Sequence, residues 1–308
     1  MLKSLTATAL IAIAACPGAF ADTKNLDIDG FDTIEAKGAM HVVYSAGPVH
    51  SVRIETDGSD FSDADISVDG DTLVITRESL SKRGFFGGVN LNVSDDGKTI
   101  RVNGKKVPYY LVRVTSPDLK GFKIAQSSTG SATGLAANNF AAQASSSANL
   151  TLSGKATRAE MDASSSGEIN ATDLEAGSLD ITVSSSAEID AKVTGTEKTE
   201  ITASSSGEVT LQSAQKASFE VSASSAGDVA LSGACESAEF SASSAAEIDA
   251  RELECTAVTA SASSGADIDA FASGAADGNA SSGGDVTFAG SPATREVRES
   301  SGGGVAFN

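Results

Sequence analysis

The chain has 308 residues, of which 40% are hydrophobic, 5% are aromatic and none is tryptophan. This composition excludes one large core of bulky side chains, yet it is too apolar for plain disorder. The net charge is −19, and residues 125–308 hold 25 acidic side chains against 8 basic ones. Nucleic acid and anionic lipid are therefore excluded as favoured partners.

The N-terminus has the pattern of an export signal. Lys3 supplies a positive charge, residues 5–15 form a short apolar run, and residues 19–21 read Ala-Phe-Ala, a small-x-small cleavage site. We therefore predict a signal peptide over residues 1–21. The exported protein would lie in the periplasm, on the outer-membrane surface or outside the cell.

A lipid anchor is the alternative interpretation of the same segment. Residues 13–16 resemble a lipobox, which would place a lipid on Cys16, although Pro17 after that cysteine is unusual. The apolar run is too short to span a bilayer, and no later segment of the sequence is long enough. We therefore expect no transmembrane segment.

Residues 22–124 alternate polar and apolar side chains in short runs, as β-strands do. Clear examples are 52–56 and 72–76, and residues 90–94 and 99–102 flank a turn as in a hairpin. We predict irregular β-coils that cap the repeats that follow. Loop 81–88 adds basic and aromatic side chains to this cap.

A motif of the form small-Ser-Ser-x-x-acidic-aliphatic recurs through residues 125–308, with degenerate copies at both ends. It starts at ten positions spaced 18 to 20 residues apart: Ala125, Ala144, Ala163, Val183, Ala203, Ala223, Ala242, Ala262, Ala280 and Glu299. Helical repeats need about 33 residues or more for two helices. A unit of 19–20 residues instead fits one coil of short strands joined by tight corners.

The sequence therefore predicts an all-β fold, a single-stranded parallel β-helix (β-solenoid) formed by residues 125–308. Stacked coils place equivalent residues about 4.8 Å apart, so ten coils make a rod about 50 Å long. We expect the corner serines to hydrogen-bond along the stack. The aliphatic positions form an internal column of Ile169, Ile189, Val209, Val229, Ile248, Ile268, Val286 and Val305, and a second column holds Met161, Ile181, Ile201, Val221, Phe240 and Ala260.

An acidic residue precedes each aliphatic residue of the first column and must point outward, because side chains alternate along a strand. Like charges about 5 Å apart repel, so either solvent screens them or cations bridge them. Calcium is the cofactor that oxygen ligands would favour; the alternative is a solvated face that keeps the rod soluble. The residues of this candidate cation stripe are Glu168, Glu188, Glu208, Asp228, Glu247, Asp267 and Asp285.

Cys235 and Cys255 lie one repeat apart and should stack on neighbouring coils. Their Cα atoms would then be within the range that a disulfide needs. The sequence leaves two interpretations open, a disulfide that joins the coils or two reduced cysteines that pack as small apolar side chains.

Catalytic patterns are weak in this sequence. The only histidines, His41 and His50, precede the repeats, and no Ser–His–acid set, zinc spacing or phosphate-binding loop occurs. We therefore predict that the protein is not an enzyme. The alternative, a carbohydrate-active β-helix enzyme, would need aromatic and basic side chains beside the carboxylates on one face.

Three motifs resemble the head GIN domain family of auto-transporter adhesins. They are Phe31-Asp32-x-Ile34-x-x-x-Gly38 followed by His41-Val42-Val43, then Asp69-Gly70-Asp71-x-Leu73-x-Ile75, and Val112-x-Val114-x-x-Pro117-x-Leu119. Together with the Gly/Ser-rich repeats, the resemblance spans about residues 28–308. It implies a parallel β-helix, usually called right-handed, on an exported bacterial protein.

These observations together predict a non-enzymatic envelope or cell-surface protein with an adhesin-like or scaffolding role. Its partner would be a protein or glycan that the sequence does not identify. The last coil, near residues 305–307, should present a strand edge that could pair with another chain end to end.

Overall fold

The computed structural model describes residues 22–81, 91–94 and 99–308. About 73% of residues are in strands and 1% in helix, and parallel coils stack into a β-solenoid of about nine turns. The predicted fold class is therefore confirmed, with the ten serine-rich corners bounding the nine turns. The proposed signal peptide at 1–21 and most of loop 81–88 lie outside the described residues.

The N-terminal part contains eleven strands and one helix of four residues within the described ranges. They are β1 (Asp22–Leu26), β2 (Thr33–Lys37), β3 (His41–Ala46), β4 (Ser51–Thr56), β5 (Ala64–Asp69), β6 (Thr72–Arg77), α1 (Glu78–Ser81), β7 (Leu91–Val93), β8 (Ile100–Val102), β9 (Lys105–Val107), β10 (Tyr110–Ser116) and β11 (Gly121–Ala125).

Most strands of the regular coils are longer, at 15 to 17 residues, because each bends through the corners of its coil. The strands of these coils are β12 (Thr129–Ser145), β13 (Asn149–Ser164), β14 (Glu168–Ser184), β15 (Glu188–Val193), β16 (Thr199–Ser204), β17 (Glu208–Ser224), β18 (Asp228–Ser243), β19 (Glu247–Ser263), β20 (Asp267–Ser281), β21 (Asp285–Ala289), β22 (Thr294–Ser300) and β23 (Gly304–Phe307).

One coil, residues 168–187, shows how the solenoid closes. Buried and exposed side chains alternate along it, and the alternation is interrupted at 172–173, where two consecutive residues are exposed, and again at 178–179, where two consecutive residues are buried. These interruptions divide the coil into face A (168–172), face B (173–178) and face C (179–184), and the stacked residues of other coils belong to the same faces. The three faces enclose a lumen filled by apolar side chains.

Cross-coil pairing follows the repeat period of the sequence. Ile169 pairs with Ile189 and Ile189 with Val209 on face A, and Met161 pairs with Ile181 on face C. These side chains are 0% exposed. Because adjacent parallel strands are hydrogen-bonded in this register, equivalent residues of successive repeats are neighbours in space. Both predicted internal columns therefore exist.

Each serine-rich corner is a type I′ turn. Ser165 and Ser166 have φ angles of 52° and 60°, and the Gly167 amide donates a hydrogen bond to the Ser164 carbonyl at 2.9 Å. Type I′ turns need two consecutive left-handed residues. The sequence uses serine there although this conformation costs a non-glycine residue about 1–2 kcal/mol.

A backbone ladder holds the corners in this conformation. The Ser166 amide donates to the Ser185 carbonyl of the next coil at 3.1 Å, and the Ser186 amide donates to Ser205 at 3.2 Å. The expected bonding along the corner column is therefore made by backbone groups. In this turn the last position is glycine, where an added Cβ on Gly167 would overlap the carbonyl oxygen of Ala144 in the preceding coil.

The stacking begins earlier than the serine-rich repeats. Residues 38 and 39, between β2 and β3, also have positive φ angles of 85° and 54°. The Ala39 amide donates to the Gln126 carbonyl of the first regular corner at 2.8 Å. β2 and β3 therefore form a coil on which β11 and β12 stack directly.

The N-terminal end of the rod is covered by antiparallel strands. β4 pairs antiparallel with β10, and β1 with β4; on face C, β5 pairs antiparallel with β6. Strands β7, β8 and β9 form a separate antiparallel sheet. The sequence-predicted hairpin corresponds to β7 and β8, although residues 95–98 of its turn lie outside the described residues.

A buried arginine fixes the first corner to this cap. Arg77 is 0% exposed, and its Nε donates to the Gly38 carbonyl at 2.6 Å. Its remaining nitrogens bond Asp63 at 3.1 Å and the Pro108 carbonyl at 2.9 Å, and it lies over the Tyr110 ring. Burial of an arginine is tolerated here because each side of the guanidinium meets an acceptor.

Replacing a left-handed corner serine by glycine should stabilise the rod. Ser206 has a φ of 60°, so we expect Ser206→Gly to raise the free energy of unfolding by about 0.5 kcal/mol, the relieved strain minus the added chain entropy. Urea denaturation measures it. The matched control Ser222→Gly lies at an exposed strand position and should lower stability by about 0.5–1 kcal/mol. Changes of the same sign would contradict the corner conformation.

Candidate functional surface

The acidic column predicted from the sequence lies on face A. Its seven members are paired in register from coil to coil and all are exposed, so their carboxylates repeat at the strand spacing of about 4.8 Å. We call this set the A stripe: Glu168, Glu188, Glu208, Asp228, Glu247, Asp267 and Asp285.

A second outward column on face A runs beside the A stripe. It contains Asp190, Asp249 and Asp269, with neutral residues in other coils. Arg251 bonds Asp249 at 2.5 Å and lies 3.7 Å from Asp269, and it lowers the pKa of Asp249. The C-terminal half of face A therefore has a cation between two of its carboxylates.

In the N-terminal half of face A, neighbouring carboxylates act on one another. Partial burial, together with the neighbouring carboxylates of Asp190, Glu208 and Glu168, raises the pKa of Glu188. No salt bridge within the described residues involves a member of the A stripe. The A stripe thus presents unpaired carboxylates on successive coils.

Face C carries another acidic column that the sequence analysis missed. Its members precede the second internal column just as the A stripe precedes the first, which is the signal that could have revealed it. We call this set the C stripe: Glu160, Asp180, Glu200, Glu220, Glu239, Asp277 and Glu296.

Basic side chains pair with the C stripe across coils. Lys198 bonds Glu200 at 3.0 Å in its own coil and also bonds Glu220 of the next. Arg158 lies 3.9 Å from Asp180, which belongs to the coil above it. Arg298 likewise bonds Asp277 of the coil below at 2.7 Å. The two acidic stripes therefore differ, because only the C stripe is partly neutralised.

The geometry of metal ligands is not present around these stripes. Within the described ranges, no group of three or more His, Cys, Asp or Glu side chains is arranged to hold a metal ion. One carboxylate per coil at this spacing supplies few ligands to one ion compared with the six to eight oxygens that calcium takes. Calcium binding by the A stripe stays a prediction.

The structure contains a disulfide between Cys235 and Cys255. The two residues are paired in register on adjacent coils, their Cα atoms are 4.3 Å apart, and both side chains are buried in the lumen. The bond closes a loop of one coil and connects β18 to β19.

Both histidines lie in the N-terminal cap and are engaged there. The Nδ1 of His41 lies 2.7 Å from the Tyr109 hydroxyl, and burial with Arg113 nearby lowers the pKa of His41. The Nε2 of His50 donates to the Phe31 carbonyl at 3.0 Å. Neither contact is with a serine or cysteine nucleophile.

A sequence profile of the family described as "Putative auto-transporter adhesin, head GIN domain" matches residues 30–211 and 192–292. The chain therefore belongs to this family, as its motifs predicted. The two matched stretches overlap at residues 192–211, within the repeats. None of the helices in the described parts of the chain is long and apolar enough to cross a bilayer.

Several solved structures are similar to this chain. A putative adhesin from Parabacteroides merdae is 18% identical, with 93% of this chain and 95% of that chain covered and a TM-score of 0.49. A putative lipid binding protein from Parabacteroides distasonis is 17% identical, with 93% and 96% covered and a TM-score of 0.48. Comparison with curated proteins finds no similar sequence.

Neutralising Glu188 should stabilise the protein at pH 7. Its pKa is raised in the fold, so its ionised form costs stability above that pKa and this cost disappears as the pH falls through the carboxylate range. We expect Glu188→Gln to raise the thermal midpoint by about 1 °C at pH 7, since exposed charges interact weakly. The gain should vanish in acid.

The matched control for this prediction is Glu175→Gln. Lys155 lowers the pKa of Glu175, so its ionised form contributes stability that is lost as the pH falls. The control variant should therefore melt at a lower temperature than the parent at pH 7. Equal shifts of both variants would contradict the assignment of repulsion to the A stripe.

Reducing the disulfide should destabilise the rod. A closed loop of 20 residues restricts the unfolded chain by about 3 kcal/mol, so unfolding in reductant should need correspondingly less denaturant. The denaturant concentration that unfolds the Cys235→Ala, Cys255→Ala double variant should be the same with and without reductant. A parent protein whose two thiols become titratable without any loss of stability would contradict this expectation.

Proposed function

We propose that this protein is a non-enzymatic exported protein of the bacterial envelope that binds its partner through face A, in an adhesin-like or scaffolding role. One observation carries the proposal: the A stripe is exposed and unpaired over successive coils, whereas the C stripe has intramolecular cations. Membership of the adhesin family supports the same class of function.

The repeat makes face A suited to a partner that is itself extended. Carboxylates in a straight column offer one contact per coil, so a partner with several cationic or hydrogen-bonding groups could engage many coils at once. Complementary charge also accelerates encounter and selects against acidic partners. A basic protein surface or a glycan with amino groups has this chemistry.

The positions of the aromatic residues argue against the carbohydrate-active enzyme. Four of the six phenylalanines in residues 125–308 are buried in the lumen, namely Phe140, Phe219, Phe240 and Phe288. Aromatic platforms for sugars would have to face outward beside the carboxylates. Together with the engaged histidines of the cap, this arrangement favours binding over catalysis.

The disulfide agrees with export. Disulfides persist in the periplasm and outside the cell and are rare in the cytosol. This supports the signal peptide over residues 1–21, while a lipid on Cys16 is the alternative anchor. We propose a location in the periplasm, on the outer-membrane surface or outside the cell.

Binding should be tested on a glycan array and on an immobilised panel of basic proteins, each in calcium and in EDTA. The face A variant carries Glu168→Gln, Glu188→Gln and Glu208→Gln. The matched control carries Asp180→Asn, Glu200→Gln and Glu220→Gln, and so loses the same three charges from face C. We expect the face A variant to bind at least about tenfold more weakly and the control to bind as the parent does.

Two results would overturn the proposal. One is binding to no member of either panel, which leaves a purely structural role. The other is an equal loss of binding in both triple variants, which would mean that binding depends on the net charge of the rod and not on face A. Binding that requires calcium, with calcium raising the melting temperature of the parent but not of the face A variant, would favour the calcium interpretation of the A stripe.

A further inference from the structure

Strand β22 is the edge of face C at the C-terminal end of the rod. It pairs in parallel with β20 on one side, and no other strand of the described residues pairs with it. All seven of its residues are exposed, and Val297 is 48% exposed. A strand in this position presents unpaired backbone groups that can accept another strand.

This coil breaks the apolar pattern of the lumen. Arg295 stands over Ala276, Val297 over Gly278 and Glu299 over Ala280. Lower coils hold small or apolar side chains in these inward columns. The final turn of face C therefore places charges of both signs where the interior of the rod has none.

The charges of β22 are self-complementary. The strand reads Thr-Arg-Glu-Val-Arg-Glu-Ser over 294–300, and its charge pattern inverts about the central valine. If a second copy of β22 lies antiparallel with Val297 opposite Val297, then Arg295 faces Glu299 and Glu296 faces Arg298. The exchange gives four opposite-charge pairs, and opposite charges directly across antiparallel strands are stabilising.

Neighbouring alignments lack this property. A shift of one residue in one direction puts Arg295 opposite Arg298, and a shift in the other direction puts Glu296 opposite Glu299. Parallel pairing in register would match every charge with its own sign. Like charges directly opposite are destabilising, so the sequence specifies one register.

A protective role for these charges fits less well. Inward charges on an edge strand often prevent association, and a single sign repels a second copy best. β22 instead alternates signs. Intramolecular contacts also position these side chains. Arg298 bonds Asp277 of the coil below at 2.7 Å and Glu296 at 2.9 Å, and Glu299 accepts from the Val305 amide at 2.7 Å.

We propose that two copies of this chain associate through antiparallel pairing of β22 about a two-fold axis at Val297. The symmetry makes the contact closed, since the same patch serves both partners. The dimer would be a rod of twice the length with the two N-terminal caps at opposite ends. The dimer would then present two copies of face A, which raises the avidity for an extended partner.

Cysteine cross-linking tests the two-fold register directly. Residue 297 is the position of β22 that faces itself, so Val297→Cys should form a disulfide-linked dimer under mild oxidation. Cys235 and Cys255 are already bonded to each other, so the new thiol is the free one in the described chain. The control Thr294→Cys should link poorly with itself but well with Ser300→Cys when the two variants are mixed.

A charge exchange tests the energetics. The acidic variant Arg295→Glu, Arg298→Glu and the basic variant Glu296→Arg, Glu299→Arg should each dissociate at least about tenfold more readily than the parent by sedimentation. Mixing the two should restore a dimer, which also shows that both variants are folded. The mid-rod control Arg158→Glu, Lys198→Glu has the same change of charge as the acidic variant and should remain dimeric.

Three outcomes overturn the proposal. The first is a monomeric mass for the parent at concentrations up to about 1 mM. The second is a Val297→Cys variant that links to itself no better than Thr294→Cys, as would follow if copies joined head to tail through β5. The third is failure of the acidic and basic variants to associate with each other when they are mixed, which would exclude the paired charges.

Discussion

The structure depends on the hydrogen bond between the backbone of one corner and the backbone of the next. Two consecutive left-handed residues would be unfavourable for serine in an isolated turn. Here the Ser166 amide reaches the Ser185 carbonyl, and the same bond recurs along the corner column. The corner conformation is thus stabilised by its neighbours, as in repeat proteins, where stability resides in the interfaces between units.

This ladder fixes the register of every column, and the register decides what the surface presents. A carboxylate on face A cannot move away from the next one, because both are attached to hydrogen-bonded strands about 4.8 Å apart. Partial burial, and after it the repulsion from neighbouring carboxylates, raises the pKa of Glu188, and both are consequences of the fold. On face C, Lys198 and Arg158 pair with the carboxylates and reduce such repulsion. The A stripe has no such pairs within the described residues.

The repeat period alone was enough to predict the fold, the internal columns and the A stripe, because each is the same letter read every 19–20 residues. The C stripe was missed because its members lie outside the Ser-Ser motif. The corner at Gly38 was missed because it is a single copy without serines. The ion pairs could not be predicted, since Lys198 reaches a carboxylate 22 residues away through side-chain geometry that no spacing rule supplies.

The central claim, that equivalent residues of successive repeats are stacked neighbours, is tested most directly by a distance measurement between spin labels. Residues 182 and 261 belong to one outward column and are separated by four coils. Labels on Thr182→Cys and Ser261→Cys should give one narrow distribution near about 19 Å, four strand spacings. A broad distribution, or a distance far longer than this, would contradict the stacked arrangement.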